Sequence, residues 1–119
     1  MIEPELIPKV TKPSSDEVNI AVLSHIAGAC TFFIGPLIIW LIYKNAPRRE
    51  YVAQQSLEAL NFQTTMAIIH ISLYLCGFIP GLLLSPPLLV IQFFLSLFAA
   101  VRCSQRRAYR YPLTLRLFT

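Results

Sequence analysis

The sequence contains no Asp, Glu, Lys or Arg between Ala59 and Val101, a stretch of about forty residues. One helix needs roughly 20 apolar residues to cross a bilayer, so this stretch predicts two spans that are joined by a short turn at Pro80-Gly81. A second stretch without these charges runs from Val18 to Tyr43. These absences argue against a soluble domain and predict a protein that is integral to a membrane.

Cysteine and chemically reactive motifs are scarce as well. Cys30, Cys76 and Cys103 lie far apart, without the close spacing of a metal or redox motif, and we interpret them as packing residues. The sequence has no nucleophile elbow, no histidine pair at metalloprotease spacing, no glycine-rich phosphate loop and no intramembrane pair of acids. We therefore expect no enzyme activity, no cofactor and no bound metal.

The basic residues that give the net charge of +4 cluster at the ends of the apolar segments. Lys44, Arg48 and Arg49 follow the first segment and five arginines follow the last, whereas the turn between the second and third has none. This asymmetry is typical of a multi-pass protein of the bacterial inner (plasma) membrane whose C-terminus is cytoplasmic. We expect the lipid bilayer, and no nucleic acid, to be the partner of these charges.

The sequence predicts an all-α fold, an integral membrane helical bundle that follows an extended or disordered arm. Three prolines and no helical period mark the arm. Ser14 or Ser15 supplies an oxygen cap, and Asp16 and Glu17 an acidic first turn, so the first helix is expected to start there. The predicted divisions are the arm at 1–14, one helical membrane domain at 15–119, spans at about 18–43, 59–78 and 82–101, and a basic tail at 102–119.

Prolines predict where the spans bend. Gly35-Pro36 falls near the middle of span one, where proline removes a backbone donor and clashes with the preceding turn, so we expect a kink or a break. A break would give four segments. Three complete spans place the N-terminus outside the cell, whereas a re-entrant span one that folds back at Gly35-Pro36 leaves it inside. Pro86 and Pro87 are expected in the first turns of span three, where a missing donor is tolerated.

Span two is polar on two faces. Helical spacing places one polar stripe at Gln54, Glu58, Asn61, Thr65 and Ser72. A second stripe, on roughly the opposite face, comprises Ser56, Gln63, His70 and Tyr74. Polar groups in hydrocarbon need partners, so span two is expected to be the central helix, flanked by spans one and three or by another subunit.

Several of these polar residues are candidates for function. His25 and His70 are expected at similar depths from the outer side, where they can meet. They serve either as neutral imidazoles bonded to neighbouring helices or as a proton relay or ligand contact. Glu58 and Arg102 are expected to pair at the cytoplasmic edge, and Asn61 to bond across to Gln92, Ser96 or a backbone carbonyl.

Four segments, LSHIAG, GPLIIWLIYKN, EYVAQQSLEALNFQTT and YRYPLTLRLF, carry a family resemblance. Together they resemble the small bacterial multi-pass membrane proteins of unknown function that are grouped with the Tic-type inner-envelope component of chloroplast protein import. The resemblance covers about Val22 to Phe118. It implies a helical multi-pass domain and a part in a protein-translocating or channel-like assembly, without enzyme chemistry.

The leading functional hypothesis is a non-enzymatic membrane subunit that self-associates or is accessory to a larger complex such as a translocon. The alternative is a small oligomeric channel or transporter, because an interrupted helix near the midplane is a transporter signature. In that case His25, Asn61, Gln63 and His70 would line the route. The candidate functional or packing residues are His25, Gly35, Pro36, Glu58, Asn61, Gln63, His70, Arg102, Tyr111 and Pro112.

Overall fold

The computed structural model describes residues 13–107, 110, 111 and 114. These residues fold into helices, with no strand among them, so the predicted all-α class is confirmed. The helices are α1 (Ser15–Thr31), α2 (Ile34–Tyr43), α3 (Glu50–Cys76) and α4 (Phe78–Ser104). Only α3 and α4, of the helices in this described part, are long and apolar enough to cross a bilayer, so the expectation of three spans is wrong.

The predicted start of the first helix is confirmed. Ser14 is the N-cap, and its side-chain oxygen accepts a hydrogen bond from the backbone N–H of Glu17 at 3.2 Å. Asp16 and Glu17 occupy the first turn, where carboxylates interact favourably with the helix dipole.

The helix break predicted in span one is present, but it lies upstream of Gly35-Pro36. α1 ends at Thr31, and Phe32 turns the chain with a φ of 59°. The Thr31 hydroxyl bridges the break, donating to the Ala27 carbonyl at 2.7 Å and accepting from the Gly35 N–H at 2.9 Å. Pro36 falls in the first turn of α2, where helix N–H groups have no intrahelical acceptor, so proline costs little there.

Contacts along α3 show that α1 runs parallel to it. Glu17, near the start of α1, accepts hydrogen bonds from the first turn of α3. Further along, Gly28 lies against Gln63, and the Phe32 ring meets the His70 ring edge-on with 6.4 Å between centroids. α1 and α3 therefore start at the same end of the bundle.

α2 returns toward that end. Its beginning, Ile34, lies beside His70, whereas its last residue, Tyr43, lines a groove with Glu50 and Ala53 at the start of α3. α1 and α2 thus form a helical hairpin that enters the bundle and leaves it at one end. This is the re-entrant alternative for span one, and it overturns the arrangement in which span one crosses the bundle completely.

Pro13, the first described residue, and the segment just after α4 meet at the end where α1 and α3 start, here called the basic end. The Arg106 Nε, just beyond α4, donates to the carbonyl of Pro13 at 3.2 Å. The loop with Lys44, Arg48 and Arg49 also lies at this end. The opposite end, the Gly77 end, is the turn between α3 and α4.

At the Gly77 end one residue separates two long helices. Gly77 has a φ of 154°, a backbone conformation that side chains disfavour, and it lets α4 begin directly after α3. The turn therefore falls at Gly77 rather than at Pro80-Gly81. Pro86 and Pro87 consequently lie inside α4 instead of in its first turns.

Glu17 supplies the cap that α3 lacks. The N-cap of α3, Arg49, makes no side-chain capping bond. The buried Glu17 carboxylate takes that role from α1, with its Oε2 accepting from the N–H groups of Tyr51 at 2.9 Å and Val52 at 3.4 Å. Because the Tyr51 hydroxyl donates to the Cys103 carbonyl at 3.0 Å, α1, α3 and α4 are tied together at the basic end.

The described part of the bundle is polar inside and apolar outside. Its buried side chains include as many polar as apolar ones, 11 of each. The outer faces of α2, α3 and α4 expose large apolar residues, among them Ile42, Leu75 and Phe94, which are 62%, 82% and 63% exposed. Such a surface suits acyl chains, and such an interior suits side chains that must find partners away from water.

We predict that the beginning of α1 and the end of α4 label from the same side of the membrane. The experiment replaces the native Cys30, Cys76 and Cys103 by alanine and introduces single cysteines by Ser15→Cys or Ser104→Cys. Both sites are exposed and should react with an impermeant maleimide from the cytoplasmic side, because the α1–α2 hairpin returns to its own end.

The native Cys76, exposed beside Gly77, is the matched probe for the other end and should react from the opposite side when it is the sole cysteine. Labelling of Ser15→Cys together with Cys76 would mean that the α1–α2 pair crosses the bilayer and would contradict the hairpin.

Candidate functional site

Two groups of hydrogen-bonded polar side chains occupy the interior. The first, the central polar chain, links α3 to α4 and consists of Ser85, His70, Gln92, Gln63 and Ser96. The second, the tail cluster, joins α1, α3 and the segment after α4, and consists of His25, Gln55, Glu58, Phe62 and Tyr111.

His70 forms the outer part of the central polar chain. Its Nε2 lies 3.1 Å from the Gln92 Oε1, and its Nδ1 lies 2.6 Å from the Ser85 Oγ. An amide oxygen only accepts, so Nε2 donates to Gln92. Both ring nitrogens therefore have a hydrogen-bond partner on α4.

Gln92 and Gln63 carry the chain across to the other side of the α3–α4 interface. The Gln92 amide donates to the Gln63 Oε1 at 2.5 Å, and the Gln63 amide donates to the Ser96 Oγ at 2.8 Å. The Ser96 hydroxyl then donates to the Gln92 carbonyl at 3.0 Å. Gly28 lies so close to Gln63 that an added Cβ would be 3.0 Å from its Nε2, so this glycine makes room for the chain.

The tail cluster holds Tyr111 inside the bundle by three contacts. Its hydroxyl lies 2.7 Å from the His25 Nδ1, and its ring stacks on the Phe62 ring with 4.1 Å between centroids. Its backbone N–H donates to the Glu58 Oε2 at 2.6 Å. The other nitrogen of His25, Nε2, lies 2.9 Å from the Gln55 Oε1, so this imidazole is satisfied as the neutral tautomer.

Helical spacing along α3 explains why the two groups stay separate. Gln55, Glu58 and Phe62 follow steps of three and four and share the face toward the tail, whereas Gln63 and His70, seven apart, share the face toward α4. The prediction that this helix is central and needs partners on both faces is confirmed. The partners come from the same chain, so these two faces do not require a second subunit.

The structure separates the two histidines that were expected to meet. His25 bonds to Gln55 near the start of α3, whereas His70 itself lies fifteen residues further along that helix. At 1.5 Å per residue this is about 22 Å. The error follows from treating span one as a complete crossing, because the hairpin instead brings α1 in from the basic end.

The predicted ion pair between Glu58 and Arg102 is not formed within the described residues. The Glu58 carboxylate accepts from the Tyr111 backbone instead, and the Arg102 guanidinium lies over the Phe98 ring at 5.8 Å. Its buried Nε has no hydrogen-bond partner there. Tyr111 lies against α3 and takes the carboxylate that the sequence assigns to Arg102.

Three other expectations concern Asn61, Tyr111 and Pro112. Asn61 is buried, as expected, but Gln63 rather than Asn61 bonds to Gln92 and Ser96. Tyr111, chosen from the YRYP motif, anchors the tail cluster. Pro112 lies outside the described residues.

Sequence reasoning overlooked the partners that complete each group. The sequence interprets Glu17 only as part of an acidic first turn, does not single out Gln55, and includes Ser85 only as a residue of span three. Gln55 carried a usable signal, because it lies three residues before Glu58 on the same face. Among the described residues, no group of three or more His, Cys, Asp or Glu side chains is arranged to hold a metal ion.

We predict that Gln92→Leu destabilises the protein by about 1–3 kcal/mol, because the Gln63 Oε1 and the His70 Nε2 each lose the hydrogen bond to Gln92. Thermal or chemical unfolding in detergent, followed by helical circular dichroism, measures the loss. Gln105→Leu, at the exposed end of α4, is the matched control and should change stability little. Equal losses in the two variants would show that the central polar chain contributes nothing specific.

We also predict graded effects at Tyr111. Tyr111→Phe removes the hydroxyl and leaves the buried His25 Nδ1 without its donor, at a cost of about 1–3 kcal/mol. Tyr111→Ala also removes the ring that stacks on Phe62 and should cost about 3–5 kcal/mol.

The control is Tyr74→Phe, since Tyr74 is 44% exposed on α3. The same unfolding measurement applies. If Tyr111→Phe is as stable as Tyr74→Phe, the hydroxyl contact does not hold the tail.

No curated protein and no solved structure matches this chain. A family model covers residues 16–118, which is almost the whole bundle together with its tail. It is not a model of the Tic-type import component, so the resemblance drawn from the four sequence segments is wrong, and the expectation of protein translocation, which rested on that resemblance, is not supported. The match is to the magnetosome magnetite crystal formation protein family (MamF/MmsF), small magnetosome membrane proteins involved in magnetite crystal formation, and the chain belongs to this family.

Proposed function

We propose that this chain is a non-enzymatic integral protein of the magnetosome membrane that acts in the formation of the magnetite crystal. The observation that carries the proposal is an inside-out bundle, polar within and apolar without, on a chain that the family model covers from residue 16 to 118. The apolar outer faces of α3 and α4 support an action in the lipid layer around the crystal.

The roles of the buried polar groups support a non-enzymatic protein. His25, His70 and Glu58 are the side chains best suited to acid–base chemistry, and each is hydrogen-bonded to another part of the chain. They join helices and tail into one body. For the same reason we do not propose the channel or transporter alternative, because polar side chains that bond to one another fill the interior rather than line a route.

The charge pattern supports an orientation in that membrane. The basic end, with Lys44, Arg48 and Arg49, belongs on the cytoplasmic face by the positive-inside rule, so the Gly77 end faces the crystal compartment. Between Ala59 and Val101, the segment of α3 and α4 that includes the Gly77 turn, the sequence has no carboxylate that could bind iron. This favours an action through the membrane and its proteins, as a self-associating or accessory subunit, over direct binding of the mineral by α3 and α4.

Complementation tests the proposal. In a magnetosome-forming bacterium whose own members of this family are deleted, the fluorescently tagged chain should locate to magnetosomes and shift the crystal size distribution toward wild type in electron micrographs. Phe94→Arg, which puts a charge on the lipid-facing side of α4, should lose both effects, because a central arginine costs roughly 2.5–3.5 kcal/mol on insertion scales.

Phe94→Tyr is the matched control at the same position and should behave as wild type. The proposal fails if the tagged wild-type chain reaches the magnetosomes and leaves crystal size and shape unchanged.

A further inference from the structure

A groove at the basic end lies between the end of α2 and the start of α3. It has a volume of about 690 Å³ and is open to the surroundings. Trp40 and Lys44 line it from the α2 side, and Glu50, Gln54 and Leu57 line it from the first turns of α3. Neither the central polar chain nor the tail cluster includes any residue of this groove.

Positive charge lies in and next to the groove: Lys44 lines it, and Arg49 contacts Tyr43, which also lines it. The Lys44 Nζ lies over the Trp40 ring at 5.0 Å, and the Arg49 guanidinium lies over the Tyr43 ring at 6.0 Å. Arg48, which is exposed and adjacent to Arg49 in the sequence, adds a third cation. Within the described residues neither Lys44 nor Arg49 pairs with a carboxylate, so both cations keep their charge available to a ligand.

The groove also has an apolar part. Trp40 lines it from α2, one turn before Lys44, and Ala53 and Leu57 line it from α3. Trp40 and Tyr43 contact the cations, and aromatic residues are enriched at the level of the lipid headgroups. A ligand that fits both parts has an anionic head and acyl chains.

We infer that this groove is a binding site for an anionic phospholipid such as phosphatidylglycerol. Its phosphate would lie at Lys44, with Arg48 and Arg49 close by, and its acyl chains along Trp40 and Leu57. Among the described residues that line the groove Glu50 is the acidic one, and its carboxylate can accept hydrogen bonds from the glycerol hydroxyls of the head. Lys44 in the groove and the two arginines next to it outnumber this carboxylate, which favours an anionic headgroup over a zwitterionic one.

Trp40 makes the site directly observable, because it is the only tryptophan in the chain. The experiment reconstitutes the full chain in phosphatidylcholine vesicles and measures quenching of its fluorescence by lipids with brominated acyl chains. A basic residue near an anionic surface contributes about 1 kcal/mol, or about fivefold in binding. We therefore expect brominated phosphatidylglycerol to bind at least about fivefold more tightly than brominated phosphatidylcholine.

Two charge variants separate a site from a general attraction. Lys44→Gln/Arg48→Gln/Arg49→Gln should reduce the preference to near one. Arg106→Gln/Arg107→Gln/Arg110→Gln removes the same number of charges from exposed positions at the same end and should retain it. Lys44→Arg, which keeps the charge beside Trp40, should also retain the preference, and circular dichroism confirms that each variant is folded.

Several results would overturn the inference. Equal quenching by the two lipids in the wild-type chain means that there is no headgroup selectivity. If both triple variants lose the preference for phosphatidylglycerol equally, the preference comes from the net charge of the basic end and not from the groove. If brominated phosphatidylethanolamine quenches more strongly than brominated phosphatidylglycerol, the groove prefers a zwitterionic headgroup. If inorganic phosphate abolishes the preference, the ligand of the groove is a soluble anion and not a lipid.

Discussion

The structure depends on the need of polar side chains to find partners inside a bundle whose outside is apolar. α3 carries such side chains on two faces, and neither face can turn to water within a bilayer. α4 satisfies one face through Gln63 and His70, whereas α1 and the tail satisfy the other through Gln55 and Glu58. Interhelical hydrogen bonds in membranes contribute only about 0.6 kcal/mol each on average, so their larger effect is to fix which helix faces which.

That requirement also explains the unusual path of α1. A helix that brings Glu17 to the bare N-terminus of α3 and His25 to Gln55 must run parallel to α3 from the same end. The chain then has to return to that end before α3 begins, and the ten residues of α2 accomplish this after the turn at Phe32. The hairpin is thus the consequence of two polar contacts, one that caps a helix and one that satisfies a buried imidazole.

Local signals predicted local structure well. The Ser14 cap, the break in span one and the central position of α3 follow from neighbouring residues or from helical spacing, and all three are confirmed. The direction of α1 after the break was left open, because proline shows that a helix is interrupted but not where the chain goes next. The partners of Glu58 and His25 were missed for a different reason. Tyr111 is 86 residues from His25, and no periodicity connects a tail to the interior of a bundle.

The tail cluster gives a physical reason for three distant sequence segments to occur together in one chain. LSHIAG contains His25, EALNFQ contains Glu58 and Phe62, and YRYP contains Tyr111, and these side chains contact one another. α4 ends at Ser104, but the family model continues to residue 118. If the last helix completed the fold, the segment after it would need no fixed sequence. Because Tyr111 packs between α1 and α3, this residue of the segment after α4 is part of the folded core and not an appendage to it.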